Sequence, residues 1–139
     1  MRFIVARNTD TKIVGFCSFQ FDLEEIYPVE SSGSEQYPDS LSSQDKESQF
    51  REVVYCYEIQ VSRDASNQGI GTALMNCLEA IARHWMVPSI MLTVFKVNKG
   101  ALRFYFRLGF TVDPSSPSQT LSRLEALEYD YEVLEKVLV

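Results

Sequence analysis

The chain has 139 residues, enough for one domain with a real core and too few for two of ordinary size. Hydrophobic residues make up 45% and charged residues 23%, with a net charge of −6, a composition that excludes collagen, coiled-coil and disulfide-scaffold classes. No apolar run approaches the roughly 18 residues of a membrane-spanning helix, and Met1–Arg7 lacks the apolar length of a signal peptide.

In chain order, Phe3 to Ala6 reads as a strand, Asn8–Thr11 as a turn and Lys12 to Phe21 as the second strand of a hairpin. From Glu24 to Ser48 periodicity disappears into Ser, Glu, Asp, Gln, Pro and Gly, which predicts a flexible loop. Val53 to Val61 is a strong strand. Gly69 to Trp85 is the clearest helix, with Ile70, Ala73, Leu74, Cys77, Leu78, Ile81 and Trp85 at the spacing of one buried face. Ile90 to Phe95 is almost wholly apolar, as for a strand covered on both sides. Asn98 to Leu108 forms a second helix, Gly109 to Val112 begins a strand, Asp113 to Ser122 is a loop, and Tyr129 to Val139 is a final strand, with helix as the alternative that its charges allow. The order implies an α/β fold, a mixed sheet with an antiparallel entry and a crossover core.

Charge is unevenly spread. Asp22 to Glu52 holds nine acids and two bases, net −7, while the rest of the chain is net +1. This acidic insert, at about 24–52, disfavours direct nucleic-acid binding and suits a basic partner; a merely solubilising segment is the plainer alternative. Three cysteines, Cys17, Cys56 and Cys77, stand in apolar runs and read as buried free thiols. No Cys/His spacing suits a metal, and the one histidine, His84, lies late on the long helix, so no metal is expected.

Two patterns carry chemistry. The first is a strand ending at Gln60-Val61 followed by Asn67-Gln68-Gly69-Ile70-Gly71-Thr72 at the start of the long helix. Two glycines allow close approach of backbone amides, and the first helical turn offers unpaired N–H groups and a positive dipole end, a setting for phosphate. The alternative is an ordinary helix start. Neither a P-loop nor a dinucleotide fingerprint is present. The second is Asn98-x-x-Ala101-x-x-Phe104-Tyr105-x-x-x-Gly109-Phe110, which presents Asn98 at a helix start and Tyr105 about two turns on.

Together these patterns resemble the acetyl-coenzyme A signature of the GNAT superfamily of N-acetyltransferases. Phe19-Gln20-Phe21-Asp22, Tyr55-Cys56-Tyr57-Glu58-Ile59-Gln60, Met91–Lys96 with Asn98, Ser115-Ser116-Pro117-Ser118 and Tyr131–Leu134 are similar to the histone-specific N-terminal acetyltransferase class, NatD. The resemblance implies a central sheet whose fourth and fifth strands part, here Glu58–Val61 beside Leu92–Val94. Pantetheine would lie in that gap against Ile59, Gln60 and Val61, with Asn98 beside it. The pyrophosphate would sit on amides of Asn67, Gln68, Gly69, Ile70, Gly71 and Thr72. It also implies that the chain begins at the family's second strand, without the first strand and first two helices. Ser66 stands where the superfamily has Arg or Gln, so one side-chain bond to the coenzyme is missing or is made by Arg63 instead.

The implied activity is direct transfer of acetyl from acetyl-coenzyme A to the N-terminal amine of histone 4 and histone 2A, which begin Ser-Gly-Arg-Gly-Lys. Another amine, or a non-catalytic histone-binding module, are the alternatives. Glu58, a carboxylate in an apolar strand, is the expected general base, with a plain salt bridge as its alternative. Tyr57 is counted in the same catalytic group, and Tyr105 matches the acid for the departing thiolate. Asp22, Tyr55, Tyr57 and Tyr131 would line the peptide site, with Ser115 and Ser116 on its other wall; core packing is the alternative for the tyrosines. In a regular strand Tyr55 and Tyr57 share one face and Glu58 takes the other, so a joint role requires a bulge near residue 58. A monomer, located in nucleus and cytoplasm, is expected.

Overall fold

The computed structural model describes residues 1–26 and 49–138. Its elements are strands β1 (Arg2–Arg7), β2 (Ile13–Glu25) and β3 (Phe50–Val61), helix α1 (Ile70–His84), strand β4 (Ser89–Phe95), helix α2 (Lys99–Arg107) and strand β5 (Thr111–Val112). Two short helices, α3 (Pro117–Thr120) and α4 (Arg123–Ala126), precede strand β6 (Tyr131–Val137). Among the described residues they form one mixed sheet in the order β1-β2-β3-β4-β6-β5, antiparallel except for the β3–β4 pair. The α/β expectation and the order of the strands and the two long helices agree with this, while α3 and α4 were not expected.

The entry hairpin turns at Asn8, whose Oδ1 accepts hydrogen bonds from the amides of Asp10 and Lys12. β2 and β3 run further than the sequence suggests. Glu24 and Glu25 pair with Arg51 and Phe50, so both ends of the expected insert are strand. The pairing ladder satisfies their backbone groups, which outweighs their polar side chains. The rest of that insert, residues 27–48, lies outside the described residues.

Both long helices cover the same face of the sheet. Leu74, Met75, Leu78 and Ala82 of α1 and Tyr105 of α2 are buried with Cys17, Phe19, Val54, Cys56, Ile90, Leu92, Val94 and Leu134. The buried stripe of α1 is rotated from the expected one: Met75 and Ala82 lie inside, while Ala73, Cys77 and Trp85 are exposed. The apolar alternatives along this helix are nearly equivalent by spacing, and only docking onto the sheet selects among them. Cys77 is therefore not a buried thiol, whereas Cys17 and Cys56 are. Residues 113–122, expected as loop, include α3. Arg123–Ala126 is closed by a Ser122–Glu125 capping box.

On the opposite face, Arg51 of β3 reaches across β4. Its guanidinium pairs with Asp113 at 3.2 Å and with Glu135. Both carboxylates are nearly fully buried. Burial acts to raise the Asp113 pKa, but bonds from the Ser115 hydroxyl and amide, with Arg51, hold it below the ordinary range. Burial pushes Glu135 up, against the pull of Arg51. Removing the cation in Arg51→Ala leaves two buried negative charges and is expected to cost about 3–5 kcal/mol. The ionised form of Glu135 is then the destabilising one, so the variant should regain stability as pH falls from about 7 to about 5. Urea unfolding at several pH values measures both effects; a loss below about 1 kcal/mol would show that the ion pair does not hold this end of the sheet together.

Candidate active site

The parallel ladder between β3 and β4 is short. It comprises Val54 with Ile90, Tyr55 with Met91 and Cys56 with Leu92. Beyond it the strands part, because each is held by its other neighbour: β3 stays on β2 as far as Val61 opposite Gly15, and β4 stays on β6 as far as Phe95 opposite Tyr131. The gap is a cleft of about 200 Å³ lined by Cys56 to Gln60 on one side and Leu92 to Phe95 on the other, with Asn98, Ala101 and Tyr105 at its floor. Among the described residues the β4-facing edge of β3 past Cys56 has no ladder partner, so its N–H and C=O groups are available to an extended ligand.

The bulge that the site requires is present. Ser18 faces Glu58 and Phe19 faces Cys56, so Tyr57 is an extra residue in β3. The alternation shifts by one position there. Cys56, Ile59 and Val61 pack toward the helices, and Tyr55, Tyr57, Glu58 and Gln60 share the other face. The Tyr55 and Tyr57 rings lie 5.1 Å apart, and Gln60 Nε2 donates to Glu58 Oε1 at 3.0 Å. Glu58 is exposed at the cleft wall, which corrects the expectation of a carboxylate among apolar neighbours: the extra residue turns it outward.

Tyr55 is half-buried, and its hydroxyl is hydrogen-bonded to Thr93 Oγ1 across the point where the strands separate. Burial raises its phenol pKa. Thr93 is a site residue that the sequence reading did not single out; its signal is a lone hydroxyl in an apolar strand. Thr93 and Phe95 are exposed, so β4 is covered on both sides only in its first half. Tyr131 is half-buried at the cleft mouth opposite Phe95, its ring edge-on to Tyr129 at 5.9 Å. Asp22 is half-buried on β2 and accepts from the Leu23 amide at 2.8 Å; it lies opposite Val53, beyond the tyrosine pair. Two residues on, Glu24 has its pKa raised by burial and by the nearby charges of Asp22 and Asp113.

Tyr105 reaches the cleft from α2. It is buried against Phe104 and Phe110, and burial pushes its phenol well above the ordinary range, so the phenol stays protonated. Asn98 caps α2 by accepting from the Ala101 amide at 3.1 Å. Ser116 does not face the peptide side. It is fully buried; its hydroxyl donates to Glu132 and accepts from the Val133 amide at 3.0 Å, pinning the 113–122 segment to β6. Ser115 is likewise turned inward, donating to Asp113.

At the start of α1, Gly69 occupies the left-handed region at φ 76°, which a side chain disfavours, and no side chain among the described residues caps the helix. The first-turn amides are therefore open to an outside acceptor. A Cβ on Gly71 would meet the Phe104 ring at 3.3 Å, so that glycine lets α2 close onto the helix start beside Tyr105. Val61 instead packs toward the helices, and the side chains of Gln68 and Ile70 line a separate hollow with Arg7 and Asn8. Asn67 and Thr72 are exposed beside the bare backbone of Gly69 and Gly71. An uncapped helix start, an unpaired strand edge and a cleft floored by a buried phenol suit a long carrier with a phosphate part and an amide-bearing arm.

Comparison with known proteins follows the same line. The sequence model of the acetyltransferase (GNAT) family matches residues 1–110. An uncharacterized N-acetyltransferase of Methanocaldococcus jannaschii is 45% identical over 60 residues, 43% of this chain and 26% of that protein. The chain thus matches about a quarter of the length of that relative. Among solved structures, Ard1 from Thermoplasma volcanium superposes with a TM-score of 0.62 at 18% identity, covering 99% of this chain and 70% of that one. The PaiA N-acetyltransferase from Thermoplasma acidophilum, solved in complex with coenzyme A, gives 0.61 at 15% identity, covering 97% and 59%. At such identities the structures share the fold. Matched by the family model from its first residue to Phe110, just past the Tyr105 helix, the chain belongs to the GNAT acetyltransferase family.

Proposed function

We propose that the chain is an N-terminal acetyltransferase acting on basic peptides of the Ser-Gly-Arg-Gly-Lys type, the N-termini of histone 4 and histone 2A. The observation that carries this reading is the tyrosine-lined, acid-flanked face at the mouth of the cleft. Tyr55, stacked near Tyr57 and bonded to Thr93, feels the charge of Glu24, which Asp22 and Asp113 oppose and Arg51 only partly offsets. A lysine or arginine of a bound peptide would relieve that repulsion. The similarity of Tyr55–Gln60, Met91–Lys96 and Ser115–Ser118 to NatD supports the same substrate. Such a substrate is met in cytoplasm and nucleus, and both locations are proposed.

Acetyl-coenzyme A, when bound, supplies an acetyl group as a thioester. The chain holds it on the amides of the α1 start and on the open β3 edge from Ile59 to Val61. Glu58 takes the proton of the incoming amine through water. An α-amine with a pKa near about 8 is partly neutral at pH 7, so an exposed carboxylate is strong enough. A backbone amide at Ile59 or Gln60 faces the developing oxyanion. Tyr105, kept protonated by burial, donates to the leaving sulfur.

In Glu58→Gln, turnover is expected to fall by about a hundredfold with coenzyme A affinity unchanged by calorimetry; unaltered turnover removes Glu58 as the base. Because burial raises the Tyr105 phenol, the wild-type pH–rate profile should show no falling limb below about pH 10 that Tyr105→Phe abolishes. Such a limb would assign Tyr105 a different state. Across a panel of amines, the Ser-Gly-Arg-Gly-Lys peptide should have the highest kcat/KM, and Asp22→Asn and Glu24→Gln should raise its KM by about tenfold with little change in kcat. Transfer to lysine side chains or small amines, but not to that peptide, would overturn the substrate assignment.

A further inference from the structure

Cys17 of β2 and Cys56 of β3 face each other beneath the bulge, with sulfurs 3.6 Å apart and both side chains buried. They lie diagonally across the strand pair: Cys17 is opposite Ile59, and Cys56 is opposite Phe19. The extra residue Tyr57 sits between these two rows. Cys56 is also the last β3 residue paired with β4 and lines the wall of the cleft. The buried phenol of Tyr105 feels both sulfurs. Neither thiol has a part in the transfer chemistry described above.

We propose that Cys17 and Cys56 are an oxidisable dithiol whose closure into a disulfide locks the bulge and switches off the acetyl-transfer cleft. The oxidant is a small peroxide entering through the cleft wall that Cys56 lines, and the sulfur that attacks it is that of Cys17, 3.6 Å from Cys56. One sulfur, as thiolate, attacks a peroxide oxygen; the O–O bond breaks, and the leaving hydroxide takes a proton to become water. The second sulfur then attacks the resulting sulfenic sulfur. The S–O bond breaks, a second water leaves, and an S–S bond forms. Two thiol protons and two electrons have passed to the peroxide, giving two waters.

The pair is poised for this by its packing. The two sulfurs are within hydrogen-bond reach, so an S–H of one can donate to the other and favour its ionisation. The bond from Cys56 acts to lower the Cys17 pKa against the effect of burial. A disulfide requires the sulfurs to approach to about 2.05 Å, which draws Cys56 toward β2. Tyr57 and Glu58 follow directly in the chain, so the shift is delivered to the bulge that sets the catalytic face. Cys77, exposed on α1, has no such partner among the described cysteines and serves as the residue to remove for a clean readout.

The test uses the full chain carrying Cys77→Ser, treated with hydrogen peroxide under native conditions. Intact mass should fall by two hydrogens, about 2 Da, with a peptide joining Cys17 to Cys56 and reversal by dithiothreitol. Acetyl transfer should drop by about tenfold or more and return on reduction, and the added Cys17→Ser change should abolish both the mass loss and the peroxide sensitivity. Gain of oxygen without the two-hydrogen loss, or an unchanged mass, overturns the dithiol. A disulfide formed with transfer unchanged overturns the switch. The effect on transfer rests on the acetyltransferase reading; the mass does not, so a chain that forms the disulfide but shows no transfer even when reduced counts against that reading alone. Cys17→Ala substitutes for Cys17→Ser if the hydroxyl prevents folding.

Discussion

The site depends on a competition for strand partners. β3 and β4 are both central strands, and each keeps a long antiparallel neighbour, β2 for one and β6 for the other. Antiparallel ladders of this length outweigh three rungs of parallel pairing, so when the sheet twists it is the β3–β4 seam that opens. The opening leaves backbone donors and acceptors bare in the middle of a sheet, which is costly unless a ligand or water satisfies them. The cleft is a consequence of the pairing pattern. Tyr55 and Thr93, bonded across the last closed rung, mark where it begins.

A second constraint is the division of labour between the two faces. The helical face carries the core: α1 and α2 bury the alternating residues Val54, Cys56, Ile90, Leu92 and Val94. Through Tyr105 and the start of α1, it also supplies the cleft floor and the open amides. The other face carries the tyrosines, Glu58 and the acids. The bulge at Tyr57 joins the two functions, because it allows the side chains of Tyr55, Tyr57 and Glu58 to share one face while Cys56 and Ile59 stay in the core. A regular strand would put Glu58 among the helices, unpaired and buried, at a cost of several kcal/mol.

Some of this was legible residue by residue. The period of Ile70, Leu74, Leu78 and Ile81 announced α1; Gly69 and Gly71 marked its start; Asn98 announced the cap of α2; and Tyr105 stood out by its spacing from Asn98. Other features were not. Cys77 and Leu74 fit the same helical stripe, and nothing local says which turns to the sheet. Ser116 reads as an exposed loop hydroxyl until β6 and Glu132 are folded against it. The end of β2 resembles the acidic insert in composition, yet Glu24 and Glu25 are held in strand by partners about 25 residues away in sequence. Thr93 acquires meaning only opposite Tyr55.

Local chemistry, written in order along the chain, was enough to determine the α/β class, the order of the strands and the two long helices, and the glycine-led helix start. Those depend on periodicity, caps and side-chain chemistry, which act over a few positions. Which face each residue occupies, where the two central strands separate, the extra residue that sets Glu58 beside the tyrosines, and the meeting of Cys17 with Cys56 were decided only by the tertiary structure. Each of these is a matter of register between strands far apart in the chain, and a one-residue change of register reverses the face of every side chain beyond it.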